Sequence, residues 1–432
     1  MAPLISTSAG LTLKAYGFTR GSSEFRAFYI TTGTTNNLTW AWDTDTSGNI
    51  YAAGTGSNAI SNLLKIDGIA GNITWQKADS TTYPFFNSPP AVNNTTGQIA
   101  WSAGPSSGQG AQFSISSAGA ITWQQRLNGG SNAQYLRPQP NGIDSSGNIY
   151  SYTSNNSSGS LLRFSNTGSV TWQRTLTRAS TTLNGTGFVH LDGSNFVYYC
   201  IFHSDTAAVN FITGLYKYNS SGTIQWQTGI NTTLNTGFNP VGFDGTSAGV
   251  TAMVLSPRTS GPLMVVTSVN ASGTGVFSRQ LTGTTNPTSL DVAISPDGNI
   301  YALGSVGQAL YVIKYNASGT LQWQRKITSS STNFGTQWAS IRAADNLNFF
   351  VGTSERNSTG NALALRLPTD GTLTGTYVIG GQTITYATST DLTDSSISIV
   401  WTSQGFTDAA GSQAFTTSSA SFTDTTYTIT KA

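Results

Sequence analysis

The chain has 432 residues, a formal net charge of +2 and only 9% charged residues, far below the roughly 25% of an average soluble domain. So small a net charge gives no electrostatic case for nucleic acid or an anionic membrane surface, and no apolar run approaches the ~18 residues of a membrane span. Aromatics make up 11% of residues, with 10 tryptophans, and Gly, Ser, Thr and Asn stand in for charge; this argues against disorder and for many short strands and turns.

In chain order, the opening "MAPLISTSAGLTLKAYGFTR" lacks the basic and long apolar regions of a signal peptide, and "KAYGF" and "FRAFYITTG" read as strands. From residue 39 a beat sets in. "SGNIYAAG" begins at Ser47 and returns as "TGQIAWSAG" at Thr96, "SGNIYSYT" at Ser146 and "DGNIYALG" at Asp297, with weaker copies at Gly193, Ser247 and Asp345. A second motif keeps the same period of about 50 residues, which suits propeller blades. Trp75, Trp123, Trp172, Trp226 and Trp323 each follow a glycine by four residues, at Gly71, Gly119, Gly168, Gly222 and Gly319; the frame also gives Gly273 with Phe277 and, degenerate, Gly371 with Gly375.

Each copy reads as four strands. In the sixth, "SLDVAISP", "NIYALGS", "ALYVIKYN" and "TLQWQRK" are separated by turns, with Leu321, Trp323 and Arg325 on one face and Gln322 and Gln324 on the other. A four-stranded sheet cannot bury both faces alone, so the outer-strand Trp is expected to pack on the adjacent sheet. The spacing predicts an all-β fold, a seven-bladed β-propeller over residues 39–377, with a longer repeat than a β-solenoid uses. Residues 1–38 form an N-terminal β segment for attachment or ring closure. After Tyr377 the beat stops, and residues 378–432 form a C-terminal β segment with strands in "TYVIGGQTITYATST", "SSISIVWTSQG" and "DTTYTITKA". Two layouts fit: the ends pair with each other beside the propeller, or they close the ring or add a blade.

Candidate sites are few. In "DTDTSGN", Asp43, Asp45 and Ser47 alternate as calcium ligands do, but no Glu follows at the required distance; the competing reading is a turn whose carboxylates accept backbone N–H groups. The connection "KADSTTYPFFNSPP" carries Tyr83, Phe85 and Phe86, and "LNGGSNAQYLRPQP" carries Tyr135 and Arg137. Such groups on loops suit a protein or sugar contact, or else pack locally. His190 lies at an inner-strand position in "FVHLDG", and His203 lies just past a strand in "CIFHSD"; as the only two histidines they are a poor basis for a metal site. Cys200, the single cysteine, excludes an internal disulfide and reads as a buried small hydrophobe. Glu24 and Glu355 are the only glutamates, and no nucleophile elbow or phosphate loop is evident. No catalytic residue, cofactor or bound metal is assigned.

The repeats "SGNIYAAG…LLKIDGIAGNITWQK" and "DGNIYALG…LYVIKYNASGTLQWQRK" resemble bacterial propeller repeats of the SBBP type over about residues 39–377, which implies the fold and leaves function open. The opening "ISTSAGLTLKAYGFTR" and the closing "YTITKA" resemble those of small virion proteins from marine tailed phages, notably cyanophages. That resemblance implies a non-enzymatic virion structural protein, tail-associated or a surface decoration. It would be present in multiple copies and would contact other virion proteins or a host surface glycan or receptor, with no nucleic-acid partner. The alternative is a secreted, extracellular carbohydrate-binding or polysaccharide-cleaving propeller of bacterial origin.

Overall fold

The structure, a computed structural model, describes residues 4–431 apart from 32–39, 56–60, 80–88, 104–108, 129–134, 155–158, 178–180, 183–186, 206–210, 233–237, 258–262, 331–338, 355–361, 403–406, 411–415, 419–429 and positions 9–10, 21–22, 71, 286, 344 and 380. Among the described residues every regular element is a strand.

Three strands come first: β1 (Leu4–Ser8), β2 (Leu11–Arg20) and β3 (Ser23–Thr31). Blade one is β4 to β7 (Trp40–Thr44, Ile50–Thr55, Ser61–Ile66, Ile73–Asp79) and blade two β8 to β11 (Ala91–Val92, Ile99–Ala103, Gln109–Ile115, Ile121–Asn128). Blade three is β12 to β15 (Tyr135–Ile143, Ile149–Ser154, Gly159–Phe164, Val170–Thr177). Blade four holds β16 (Thr181–Thr182) and β17 (Gly187–Leu191), both against β18 (Val197–Asp205), then β19 (Phe211–Tyr218) and β20 (Ile224–Thr232). Blade five is β21 to β24 (Phe238–Gly245, Thr251–Pro257, Met264–Val269, Gly275–Thr282) and blade six β25 to β28 (Thr288–Ile294, Ile300–Val306, Ala309–Tyr315, Leu321–Ser329). Blade seven begins with β29 to β31 (Ser340–Arg342, Asn348–Ser354, Ala362–Pro368). These seven antiparallel sheets make the fold a seven-bladed β-propeller.

The tail supplies β32 (Gly375–Ile379), β33 (Gln382–Thr388), β34 (Thr393–Ser396), β35 (Ile399–Thr402), β36 (Thr407–Ala410), β37 (Thr416–Ser418) and β38 (Thr430–Lys431). The chain divides into two compact units. One holds Met1–Asn87, Thr282–Thr393 and Phe422–Ala432; the other holds Ser88–Leu281 and Asp394–Ser421.

In the first unit, blade seven takes its outer strand from the other end of the chain: β3 pairs with β31, Arg26 opposite Arg366 and Ile30 opposite Ala362. The degenerate seventh copy of the frame, Gly371 with Gly375, therefore does not supply that blade's outer strand. Gly371 keeps its turn, at φ +70°, but the strand that follows, β32, pairs with β33, and β33 adds to β28 of blade six with Arg325 opposite Thr388. The outer place is already filled by β3, which explains why the last copy has Gly375 where others have Trp.

In the second unit the tail adds one strand to the outer edge of each blade, in reverse chain order. The sheets of blades five, four, three and two end in β34, β35, β36 and β37. Ile230 lies opposite Trp401, Arg174 opposite Ala410 and Leu127 opposite Thr417. Back in the first unit, β38 pairs with β1.

The recurring glycine has two duties. In blade four the outer hairpin closes with Gly222 N–H donating to the Asn219 carbonyl (2.9 Å), while the Asn219 side chain accepts the N–H groups of Ser221 and Thr223. Gly222 sits at φ +77° and the register slips by one residue between Lys217 and Tyr218, as expected of a glycine bulge after a type I turn. The second duty is spatial. A Cβ on Gly222 would lie 2.9 Å from the Trp172 ring of blade three, and one on Gly168 or Gly273 would lie 2.9 or 3.0 Å from Trp123 or Trp226 of the preceding blade. Trp172 and Trp226 then donate their indole N–H to the carbonyls of Ser220 and Ala271, each at 3.0 Å. In the first unit Trp323 of blade six seats on Gly371 in the same way.

The Gly-Asn-x-Tyr strand completes the unit of packing. Asp144 accepts the N–H groups of Ser146 and Asn148 on one carboxylate oxygen (both 2.9 Å) and the Tyr150 hydroxyl on the other (3.1 Å). Tyr150 meets the edge of Trp172 at 5.9 Å and lies under Arg163 at 5.7 Å. Tyr198 repeats this with Asp192, Trp226 and Lys217, and Tyr51 with Asp45, Trp75 and Lys65. Burial, followed by the nearby Asp144 carboxylate, pushes the Tyr150 phenol up to about 12.

Candidate functional site

The first strands of several blades carry a charged group among apolar neighbours: Asp43 in β4, Asp244 in β21, Asp291 in β25 and Arg342 in β29. In the first unit these meet at Arg342 of β29. Its Nη1 donates to Asp291 of β25 at 2.7 Å and to the Ile341 carbonyl at 2.6 Å, and its Nε stands 3.4 Å from Asp43 of β4. One guanidinium therefore joins blades six, seven and one. Asp291 also takes the N–H of Ile341 (3.0 Å) on one oxygen and its own neighbour Val292 (2.9 Å) on the other. Burial raises the Asp291 carboxyl above the usual carboxylate range; Arg342 and the two backbone N–H groups offset this only in part. A general acid or base must reach a substrate proton. Here both oxygens of Asp291 receive donors from the protein, so the cluster acts chemically as a charge-paired staple.

In the second unit the corresponding strands hold His190 of β17 and Asp244 of β21. The His190 Nδ1 stands 3.7 Å from Asp244 and its Nε2 lies 3.3 Å from the Thr246 carbonyl. Both ring nitrogens thus face acceptors of blade five. His203 lies in β18 and is registered opposite Ile212, whereas His190 is registered opposite Tyr198, so the two histidines are not paired across strands.

Asp43 and Asp45 part company. Asp43 turns to Arg342, while the two carboxylate oxygens of Asp45 accept the N–H groups of Ser47 (3.0 Å) and Asn49 (2.9 Å), the Asn49 amide (2.8 Å) and the Tyr51 hydroxyl (2.9 Å). Ser47 enters through its backbone N–H, a donor that no cation would accept. Among the described residues no group of three or more His, Cys, Asp or Glu side chains gathers to hold a metal. Tyr83, Phe85 and Phe86 lie outside the described residues. Tyr135 and Arg137 fall within strand β12 rather than in a connecting loop, and their side chains lie outside the described residues. Cys200 is buried with its sulfur 3.6 Å from that of Met253, and burial pushes its thiol up.

Sequence reasoning passed over Arg342 and Asp291. The available signal was a charge inside an apolar first strand, "SLDVAIS" and "SIRAAD", in a chain with few charges to place.

No family model matches the sequence, and no curated protein is similar to it. Solved structures share the fold. A polysaccharide lyase described as a new-family ulvan lyase superposes with a TM-score of 0.51 at 10% identity, over 79% of this chain and 96% of its own. A europium-containing methanol dehydrogenase gives 0.44 at 10% identity over 83% of this chain and 93% of its own. A protein of unknown function from Bacteroides caccae gives 0.39 at 12% identity over 71% of this chain and 98% of its own. At 10% identity the likeness to the lyase is one of fold alone.

Proposed function

We propose that this chain is a non-enzymatic structural protein of a tailed-phage particle, tail-associated or a surface decoration, working through contacts with other virion proteins or a host surface. The observation that carries this reading is the course of the tail. From Gln382 onward the chain is given over to pairing with the outer strands of successive sheets, which covers edges that would otherwise template unwanted pairing and stiffens the fold. The inner-strand charges support it, because Asp43 and Asp291 face the guanidinium of Arg342 and Asp244 faces His190 of the protein itself. The resemblance of both ends to small marine phage virion proteins supplies the setting. Mass spectrometry of density-purified phage particles tests it: the chain is expected as a multicopy component, and its absence from particles overturns the proposal. A parallel assay on ulvan and other acidic polysaccharides is expected to show no cleavage; turnover that Arg342→Met abolishes would assign an enzyme instead.

A further inference from the structure

We propose that the first turn of blade six binds a small monovalent anion, of the size of formate or chloride, in the place where blades one, three and four carry an aspartate side chain.

The comparison is internal to the chain. In those three blades Asp45, Asp144 and Asp192 each stand six residues before a tyrosine of the second strand: Tyr51, Tyr150 and Tyr198. A cation is registered opposite each tyrosine on the third strand: Lys65, Arg163 and Lys217. Each carboxylate takes the tyrosine hydroxyl. Asp144 and Asp192 also stand 3.8 and 4.0 Å from Arg163 and Lys217. Blade six keeps the tyrosine and the cation, with Tyr301 opposite Lys314 and the ammonium 5.3 Å from the ring centroid. The residue six places before Tyr301 is Ser295.

The carboxylate of this turn has moved two places along the chain. Asp297 accepts the N–H of Asn299 (3.3 Å) and its side-chain amide (2.7 Å), as Asp45 does for Asn49. The tyrosine hydroxyl does not follow. Tyr301 is fully buried, and among the described residues its oxygen has no hydrogen-bond partner. Ser295 offers it no proton, since its hydroxyl donates to Asp297 and to the Asn299 carbonyl. Burial, with the nearby Asp297 carboxylate next, holds the Tyr301 phenol well above its ordinary value, so it remains a donor. The Lys314 ammonium donates to a neutral acceptor, the Thr369 carbonyl, at 2.8 Å. Burial draws Lys314 below the usual lysine value, and Asp297 and Asp370 offset this only in part.

A buried hydroxyl without an acceptor is costly, and here it shares its ring with a half-buried cation. Serine lacks the carboxylate of aspartate, and the atoms that are missing are those of a formate ion. Lys314 is partly exposed, which gives such an ion a way in. The exposed Asp297 charge nearby disfavours a doubly charged ion and keeps binding weak.

Exchange of chloride into a protein site broadens the chlorine NMR signal. The full-length protein, Ser295→Asp and Tyr301→Phe are compared at one ionic strength, made up with sodium isethionate, whose anion is too bulky for the space. The expected excess broadening is several-fold greater with the unsubstituted protein than with either variant, and formate removes it while further isethionate does not. Ser295→Asp supplies the carboxylate from the chain itself. Tyr301→Phe removes a donor without changing charge, so the comparison survives if the first variant fails to fold. Equal broadening by the unsubstituted protein and Tyr301→Phe, or displacement by isethionate as readily as by formate, overturns the proposal.

Discussion

At the scale of single residues, the Gly222–Trp172 contact concentrates the logic of the repeat: a positive φ and a missing Cβ serve two blades at once. Gly222→Ala is expected to cost about 1–3 kcal/mol from backbone strain and the clash with the indole. Trp172→Ala is expected to cost about 3 kcal/mol through lost packing. In the double variant the clash is gone, so the two costs should fall short of adding; urea midpoints for the four proteins check this, and strict additivity would show that the glycine matters for its φ alone. Arg342 makes a second test. Asp291 has its carboxyl raised in the folded state, so its contribution to stability is complete below the ordinary carboxylate value and is lost as pH climbs through the raised one. Arg342→Met removes the main offset and raises the group further. The variant should therefore lose more stability at about pH 7 than at about pH 4, by roughly 1–3 kcal/mol. An equal loss at both values would mean that the guanidinium acts by packing alone.

At the scale of strands, the near part of the tail completes the core and its later strands pair with sheet edges. A chain ending at Thr402 lacks β36 to β38, which pair with the edges of β15, β11 and β1, and should melt a few degrees lower. A chain ending at Thr374 also loses Ile384, Tyr386 and Leu392, all buried. Truncating even one such side chain to Ala costs roughly 2–5 kcal/mol, so this chain should aggregate on heating well before the full-length protein. Thermal melts followed by circular dichroism and light scattering separate the two; equal behaviour would refute the division. The four strands of each repeat were legible because Gly, Asn and Trp recur at fixed steps, and turn chemistry is local. The tail was not: "TDSS", "TDAA" and "TTS" carry no periodicity of their own, because their pairing partner is a backbone edge that tolerates almost any side chain. The outer strand of blade seven was legible only as one of two layouts for the ends, since β3 and β31 stand far apart in the sequence.

At the scale of the whole molecule, apolar burial and repeated hydrogen-bonded turns do most of the stabilising, with 20 basic and 18 acidic side chains in 432 residues. Among the described residues the ion pairs are few and scattered over several blades, so their screening should matter little. The melting temperature is expected to move by no more than a few degrees between about 0.05 and 1 M NaCl, by calorimetry; a large fall would give electrostatics a role the composition denies. The candidate site was half visible: Asp43 and His190 stood out as rare residue types, but their partners Arg342, Asp291 and Asp244 come from other repeats, and a single sequence holds no information on which repeats are neighbours.

The placement of β3 in blade seven bears on how the protein is made. β3 is made long before its partner strand β31, with Arg26 opposite Arg366. Until then a strand with the apolar run Ala27 to Ile30 waits without its sheet, while blades one to six have their own strands in hand. Loop closure over such a span is slow relative to local hairpins, so a truncated nascent chain should be marked by an exposed N-terminal strand, a form well suited to recognition by chaperones and to degradation.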